Sequence, residues 1–174
     1  SSPIAPVKIG RGLPAAPNAV VLDPQNPNVL YAAVPRSGAP GVDAFGGVYI
    51  STDSGLNFAR RSNGLDSLYQ VSSNANANYL SISPADPNRL YVSFRTTGWA
   101  HPYFTSDKGL TWHAPTKLNA DGLGFGGQQE GSYWTAPIAT HPTHPLLVVT
   151  CGGGSSTAVV TTDGGNTWRF SGNG

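Results

Sequence analysis

Cysteine occurs once, at Cys151, and methionine not at all. A lone thiol cannot close an intrachain disulfide, so packing and hydrogen bonding must hold the fold. Charge is scarce too: 11% of 174 residues, with ten basic side chains against nine acidic and a net +1. That balance removes the electrostatic reason to expect nucleic acid or an anionic membrane as partner. No apolar run approaches the ~18 residues of a membrane span. The stretch from Ser1 to Pro6 has neither a basic nor an apolar region, so it does not read as a signal peptide. Only three lysines occur (Lys8, Lys108 and Lys117) amid many Ser, Thr, Asn and Gly residues. This composition suits an extracellular or secreted protein. No stretch keeps a helical period, and Gly and Pro, 22 and 15 residues, break helices. An aromatic share of 10% with so little charge excludes a disordered chain.

What is present is repetition. Ser51-Thr52-Asp53-Ser54-Gly55-Leu56-Asn57-Phe58 returns as Thr105-Ser106-Asp107-Lys108-Gly109-Leu110-Thr111-Trp112, and again as Thr161-Thr162-Asp163-Gly164-Gly165-Asn166-Thr167-Trp168. A proline motif precedes each copy: Asp23-Pro24-Gln25-Asn26-Pro27, Ser83-Pro84-Ala85-Asp86-Pro87 and His141-Pro142-Thr143-His144-Pro145. Two independent motifs keep one order and nearly one period. Each repeat holds four strand-like runs: Ala19–Leu22, Val29–Val34, Gly47–Thr52 and Asn57–Arg61; then Tyr79–Ile82, Leu90–Phe94, Pro102–Ser106 and Thr111–His113; then Ala136–Thr140, Leu146–Thr150, Ala158–Thr162 and Thr167–Phe170. Tandem four-stranded units of this length are expected to be β-propeller blades. The expected division is an extension or linker over 1–16 and blades over 17–76, 77–131 and 132–174.

The Asp-x-Gly segment is expected to join the third strand to the fourth. Its aspartate accepts backbone N–H groups of its own turn, its glycine supplies a positive φ, and Phe58, Trp112 or Trp168 buries a ring between blades. Asp53, Gly55, Asp107, Gly109, Asp163 and Gly165 are therefore structural. The proline motif joins the first strand to the second. His141 and His144 have a metal-like spacing, but they stand where Asp23 and Asn26, and Ser83 and Asp86, stand elsewhere. A turn is the expected reading, with no metal and no cofactor.

These residues resemble the Asp-box, or bacterial neuraminidase repeat, propellers. The Ser/Thr-x-Asp-x-Gly-x-x-Trp pattern is complete in the second and third repeats, while Phe58 replaces tryptophan in the first. Asn26-Pro27-Asn28-Val29-Leu30-Tyr31 and Asp86-Pro87-Asn88-Arg89-Leu90-Tyr91 are similar to blades of the xyloglucanase and sortilin branches. The resemblance covers roughly residues 17 to 172. It implies an all-β propeller from a superfamily of sialidases, endoglucanases, sorting receptors and photosystem assembly factors, with ligands bound on the face opposite the Asp-boxes.

Five of the nine acidic residues belong to Asp-boxes or proline turns. The other four, Asp43, Asp66, Asp121 and Glu130, fall in loops of the opposite face. A glycosidase needs two carboxylates flanking the scissile bond, so any pair comes largely from these four; the alternative is solvated loop charge. The same loops offer Arg95, Trp99, His101, Tyr103, Gln128 and Trp134, whose rings and polar groups suit sugar, although Trp134 also fits a core position. The sialidase Arg-Ile-Pro-like segment and the xyloglucanase-type Asp-Val-Gly-Gly-Ala-Tyr segment are both absent. Cys151-Gly152-Gly153-Gly154-Ser155-Ser156 lacks a Gly-Lys-Ser/Thr ending and precedes a strand, so it is no phosphate loop.

Propellers close with about four to eight blades, and this chain has three. It is expected to form part of a larger propeller or half of a six-bladed dimer, its partners being the remaining blades or a second copy. The expected ligand is a glycan or polysaccharide, bound by an extracellular propeller segment. A glycoside hydrolase is the enzyme class it would belong to if it is catalytic, and the chain carries no complete catalytic signature. The competing expectation is a non-catalytic module for protein interaction or assembly.

Overall fold

A computed structural model describes residues 9–36, 46–65, 76–96, 99–116, 137–151 and 158–170. Its described residues form strands and turns without a helix: β1 (Ala19–Asp23), β2 (Asn26–Val34), β3 (Gly47–Ser51), β4 (Ala59–Arg60), β5 (Asn76–Ile82), β6 (Leu90–Thr96), β7 (Trp99–Thr105), β8 (Ile138–Thr140), β9 (Val148–Cys151), β10 (Ala158–Thr161) and β11 (Arg169–Phe170). They build three antiparallel meanders, ordered β1-β2-β3-β4, β5-β6-β7 and β8-β9-β10-β11. In the second sheet the run expected at Thr111–His113 shrinks to one bridge, between Phe104 and His113.

Period-2 alternation explains the stacking. Tyr31 pairs with Ile50 and Ala33 with Val48, so these four share one face of the first sheet. They join Leu80, Leu90, Val92, Phe94 and Tyr103 of the second sheet in one buried cluster. Residues of the other parity in the second sheet, Tyr91 and Phe104, pack with Val148, Val159 and Trp168 of the third. The remaining face of the first sheet buries Ala32, Val34 and Tyr49 beneath Leu13, Ala15 and Phe58. Residues 9–16, expected as an extension or linker, thus contribute to that cover. Each fully buried apolar side chain contributes about 1.5–3 kcal/mol.

The proline turns share one device. Asp23 Oδ1 accepts the N–H of Gln25 at 2.8 Å and of Asn26 at 3.3 Å. Ser83 Oγ accepts the N–H of Asp86 at 3.3 Å. His141 Nδ1 accepts the N–H of Thr143 at 3.2 Å and of His144 at 3.1 Å. The histidine pair is thus a turn, as its place in the repeat implied.

The aspartate turns are three copies of another device. Asp53, Asp107 and Asp163 each accept, on Oδ1, the backbone N–H four residues on, at 2.9 Å in every case. The hydroxyl two residues earlier donates to the same oxygen, from Ser51 at 2.8 Å, Thr105 at 2.6 Å and Thr161 at 2.8 Å. That hydroxyl also accepts the N–H of Gly55, Gly109 or Gly165. Each glycine has a positive φ, and so do the residues before them, Ser54 and Lys108 at 60° and Gly164 at 74°. The strain at Ser54 and Lys108 places their N–H groups on the carbonyls of Asn28 and Asn88, both at 2.9 Å. Proline turn and aspartate turn are locked together at one end of the sheets.

These bonds favour the charged carboxylates. The Asn57 side-chain amide, then the Asn57 N–H and the Ser51 hydroxyl, hold Asp53 down to about 2. At Asp107 and Asp163 burial is the largest single influence and pushes upward. The combined bonds from Thr105 and Thr111, and from Thr167 and Thr161, outweigh it and leave both carboxyls below their usual value. A carboxyl depressed by folding stabilises the fold above the unfolded value, about 3.9, and loses that contribution as pH falls through the folded value. The midpoint of thermal unfolding is therefore expected to fall as the pH drops from about 4 to 2. A midpoint unmoved at pH 2 would contradict this assignment.

Candidate functional site

At the far end of the sheets β2, β6 and β9 end and β3, β7 and β10 begin. Pro35, just past β2, bridges to Asn76 at the start of β5. Asn76 Oδ1 also accepts the N–H of Arg36 at 2.9 Å. Asn76 pairs with Arg95 on β6, and Arg95 with Ala100 on β7. A lateral row therefore runs from the first sheet across the second at this rim. Below it, Asn18 holds the two innermost strands side by side. Its Nδ2 donates to Ala77 O at 3.0 Å and Asn78 Oδ1 at 3.2 Å, while its own N–H reaches Ala33 O at 2.8 Å.

The sequence-derived residues fall differently on this frame. Trp99 pairs with Thr96 at the tip of the β6–β7 hairpin, and His101 pairs with Phe94. Trp99, His101 and Tyr103 share one parity of β7, whereas Arg95 and Ala100 belong to the other. The hairpin thus puts Arg95 and Trp99 within one tip but on opposite register faces. Tyr103, expected among the ligand contacts, lies in the core. It is 6% exposed, meets Phe94 edge-on with centroids 6.0 Å apart, and its hydroxyl is pushed up by burial. Asp43, Asp66, Asp121, Gln128, Glu130 and Trp134 lie outside the described residues.

Asn18, Arg36 and Asn76 had not been singled out. Asn76 was legible in principle: Asn76-Ala77-Asn78 alternates polar and apolar at the strand period. Chemically, the rim combines amide and guanidinium residue types with an indole-bearing hairpin. Such residues can donate to hydroxyl or carboxylate oxygens and supply a flat apolar surface.

No protein-family profile matches the sequence, and no curated protein does either. Solved structures do. An ancestral GH74 enzyme superposes with a TM-score of 0.62 at 14% identity, covering 92% of this chain and 19% of that one. YCF48 bound to D1 peptide gives 0.59 at 13% identity, covering 93% and 42%. A GH74 enzyme from Niastella koreensis gives 0.56 at 19% identity, covering 88% and 22%. The chain therefore spans about a fifth to two fifths of the length of these structures. Identities this low establish the fold alone: three antiparallel sheets arranged as in β-propeller proteins.

Proposed function

We propose that this chain is a segment of an extracellular, Asp-box β-propeller that recognises glycan on the scaffold of a glycoside hydrolase. The observation that carries the reading is the rim row through Arg36, Asn76 and Arg95, ending at the hairpin that bears Trp99. The likeness to GH74 enzymes supports it. Asp43, Asp66, Asp121 and Glu130 are the carboxylates from which a pair flanking the scissile bond would be drawn, with His101, Gln128 and Trp134 as further ligand contacts.

The rest of the ring is part of this reading. Tyr31 and Tyr91 are 0% exposed at the sheet interfaces, whereas Val149, at the same place in the third repeat, is 38% exposed. Val20 is 46% exposed where Leu80, its second-repeat counterpart, is 8%. These faces fit further sheets of the same kind, from a continuing chain or a second copy.

A second reading, a non-catalytic module that binds protein, is favoured by the likeness to YCF48, whose structure holds a peptide. Affinity electrophoresis through a panel of neutral and acidic polysaccharides separates the two, run on material whose mass is first fixed by light scattering. The glycan reading expects retention on at least one polysaccharide. Trp99→Ala should weaken it five- to tenfold, about 1–1.4 kcal/mol, with an unchanged melting midpoint. Absence of retention across the panel, at a mass of 18.1 kDa or any multiple of it, would sink the glycan reading. A well-behaved monomer would independently sink closure of the ring by a second copy.

A further inference from the structure

We propose that the turn joining β8 to β9 is an acid-sensitive latch between the second and third sheets, opened by a proton on His141 Nδ1. In the three proline turns one side chain stands at the same place and does the same work. Asp23 Oδ1 and Ser83 Oγ accept turn N–H groups in the first two. In the third, His141 Nδ1 accepts the N–H of Thr143 at 3.2 Å and of His144 at 3.1 Å. The oxygens of a carboxylate and a hydroxyl remain acceptors from pH 8 to pH 5. An imidazole nitrogen accepts only while it is unprotonated, and free histidine changes charge near about 6.5. A proton on Nδ1 would meet two N–H groups aimed at the same lone pair, so the ring must leave or the turn must open.

The turn is tied to its surroundings. His141 N–H donates to Leu147 O at 3.0 Å, and Leu147 N–H donates to His144 O at 3.1 Å. From the second sheet, the Tyr91 hydroxyl reaches Pro145 O at 3.4 Å. Opening the turn therefore releases the register of β9 and a contact between sheets. The titratable and charged groups around it act as follows. The His144 ring lies over that of His141, with centroids 4.5 Å apart. Asp86 and Arg89 on the neighbouring proline turn are matched to each other at 3.2 Å. Tyr91, whose hydroxyl reaches the turn, has Asp86, Arg89 and Asp163 as its own charged neighbours. The Thr143 hydroxyl, 3.4 Å from Nδ1, is the remaining polar neighbour.

Amide hydrogen exchange followed by NMR from pH 8 to pH 5, normalised for intrinsic exchange, tests the latch. Protection at Thr143, His144 and Leu147 should fall at least tenfold, while Gln25 and Asn26 in the aspartate-capped turn stay level. In the His141→Asp variant, which installs the cap of the first repeat, all five should stay level. The nitrogen chemical shifts of His141 at pH 8 should report an unprotonated Nδ1. Level protection in the natural chain, the same loss in His141→Asp, or an Nδ1–H tautomer at pH 8 would each overturn the proposal. The two measurements on the natural chain decide it if the variant does not fold.

Discussion

Trp112→Ala is expected to remove about 3–5 kcal/mol of stability by detaching the second aspartate turn from the first sheet. The indole is 3% exposed and belongs to the cluster that holds Tyr31, Ala33 and Leu65. Its Nε1–H donates to Arg61 O at 2.8 Å, just past β4. Its backbone N–H donates to Asn63 O, also at 2.8 Å. Truncation leaves a cavity between two sheets and strips a carbonyl of its partner. Trp112→Phe should be far milder, about 1 kcal/mol, because most of the burial survives and only the indole N–H is lost. Phe58 occupies the matching place in the first repeat, against Ala32, Val34 and Tyr49, which shows that the site shape accepts phenylalanine. Urea unfolding followed by circular dichroism measures both. Equal losses for the two variants would mean that the hydrogen bond, rather than the packing, anchors the turn.

Much of this architecture was legible because it is written three times. Asp53, Asp107 and Asp163 announced a turn by recurring, and their hydrogen bonds repeat almost to the ångström. The histidine turn was legible for the same reason, since alignment with Asp23 and Ser83 outweighed a metal-like spacing. Single positions were harder. Nothing in its residue type marks Lys108 as left-handed; the pull comes from the carbonyl of Asn88 in another turn. Tyr103 was misplaced because stacked sheets bury both faces. Alternation then no longer separates an inward ring from a ligand-facing one. The candidate carboxylates lie in connections outside the described residues, where no repeat gives a template.

One signal was too short to stand out in the sequence and yet fixes how the sheets join. Arg11-Gly12-Leu13 and Asn63-Gly64-Leu65 are the same tripeptide pattern in two settings. Arg11 O accepts the N–H of Phe58 at 2.7 Å, and Asn63 O that of Trp112 at 2.8 Å. Leu13 and Leu65 each close a tight turn, onto Gly10 O at 3.3 Å and Ser62 O at 2.9 Å. Phe58 and Trp112 are thus each received by an x-Gly-Leu segment lying before its own sheet in the chain.

The middle glycine decides whether that reception is possible, and Gly64→Ala is expected to be as damaging as the loss of Trp112. Gly64 has a φ of +92°, and a Cβ there would sit 2.2 Å from Trp112 O, a backbone atom that cannot step aside alone. Gly55 makes the matched control. Its φ is +87°, nearly the same, but its nearest neighbours would be side-chain carbons of Leu30 and Phe58 at 3.9 Å. Gly55→Ala therefore carries only the left-handed strain, about 1–2 kcal/mol. Gly64→Ala adds a backbone collision that must push the two sheets apart, for a total of about 3–5 kcal/mol. Denaturant unfolding of both variants gives the difference directly. A gap of about 2 kcal/mol or more assigns it to the close approach of the Asn63-Gly64-Leu65 segment to the Trp112 carbonyl. Equal losses would mean that backbone strain alone sets the cost and that the segment has room to shift. In that case Trp112 would hold its place through its indole, and the x-Gly-Leu pattern would be a consequence of turn geometry rather than of sheet packing.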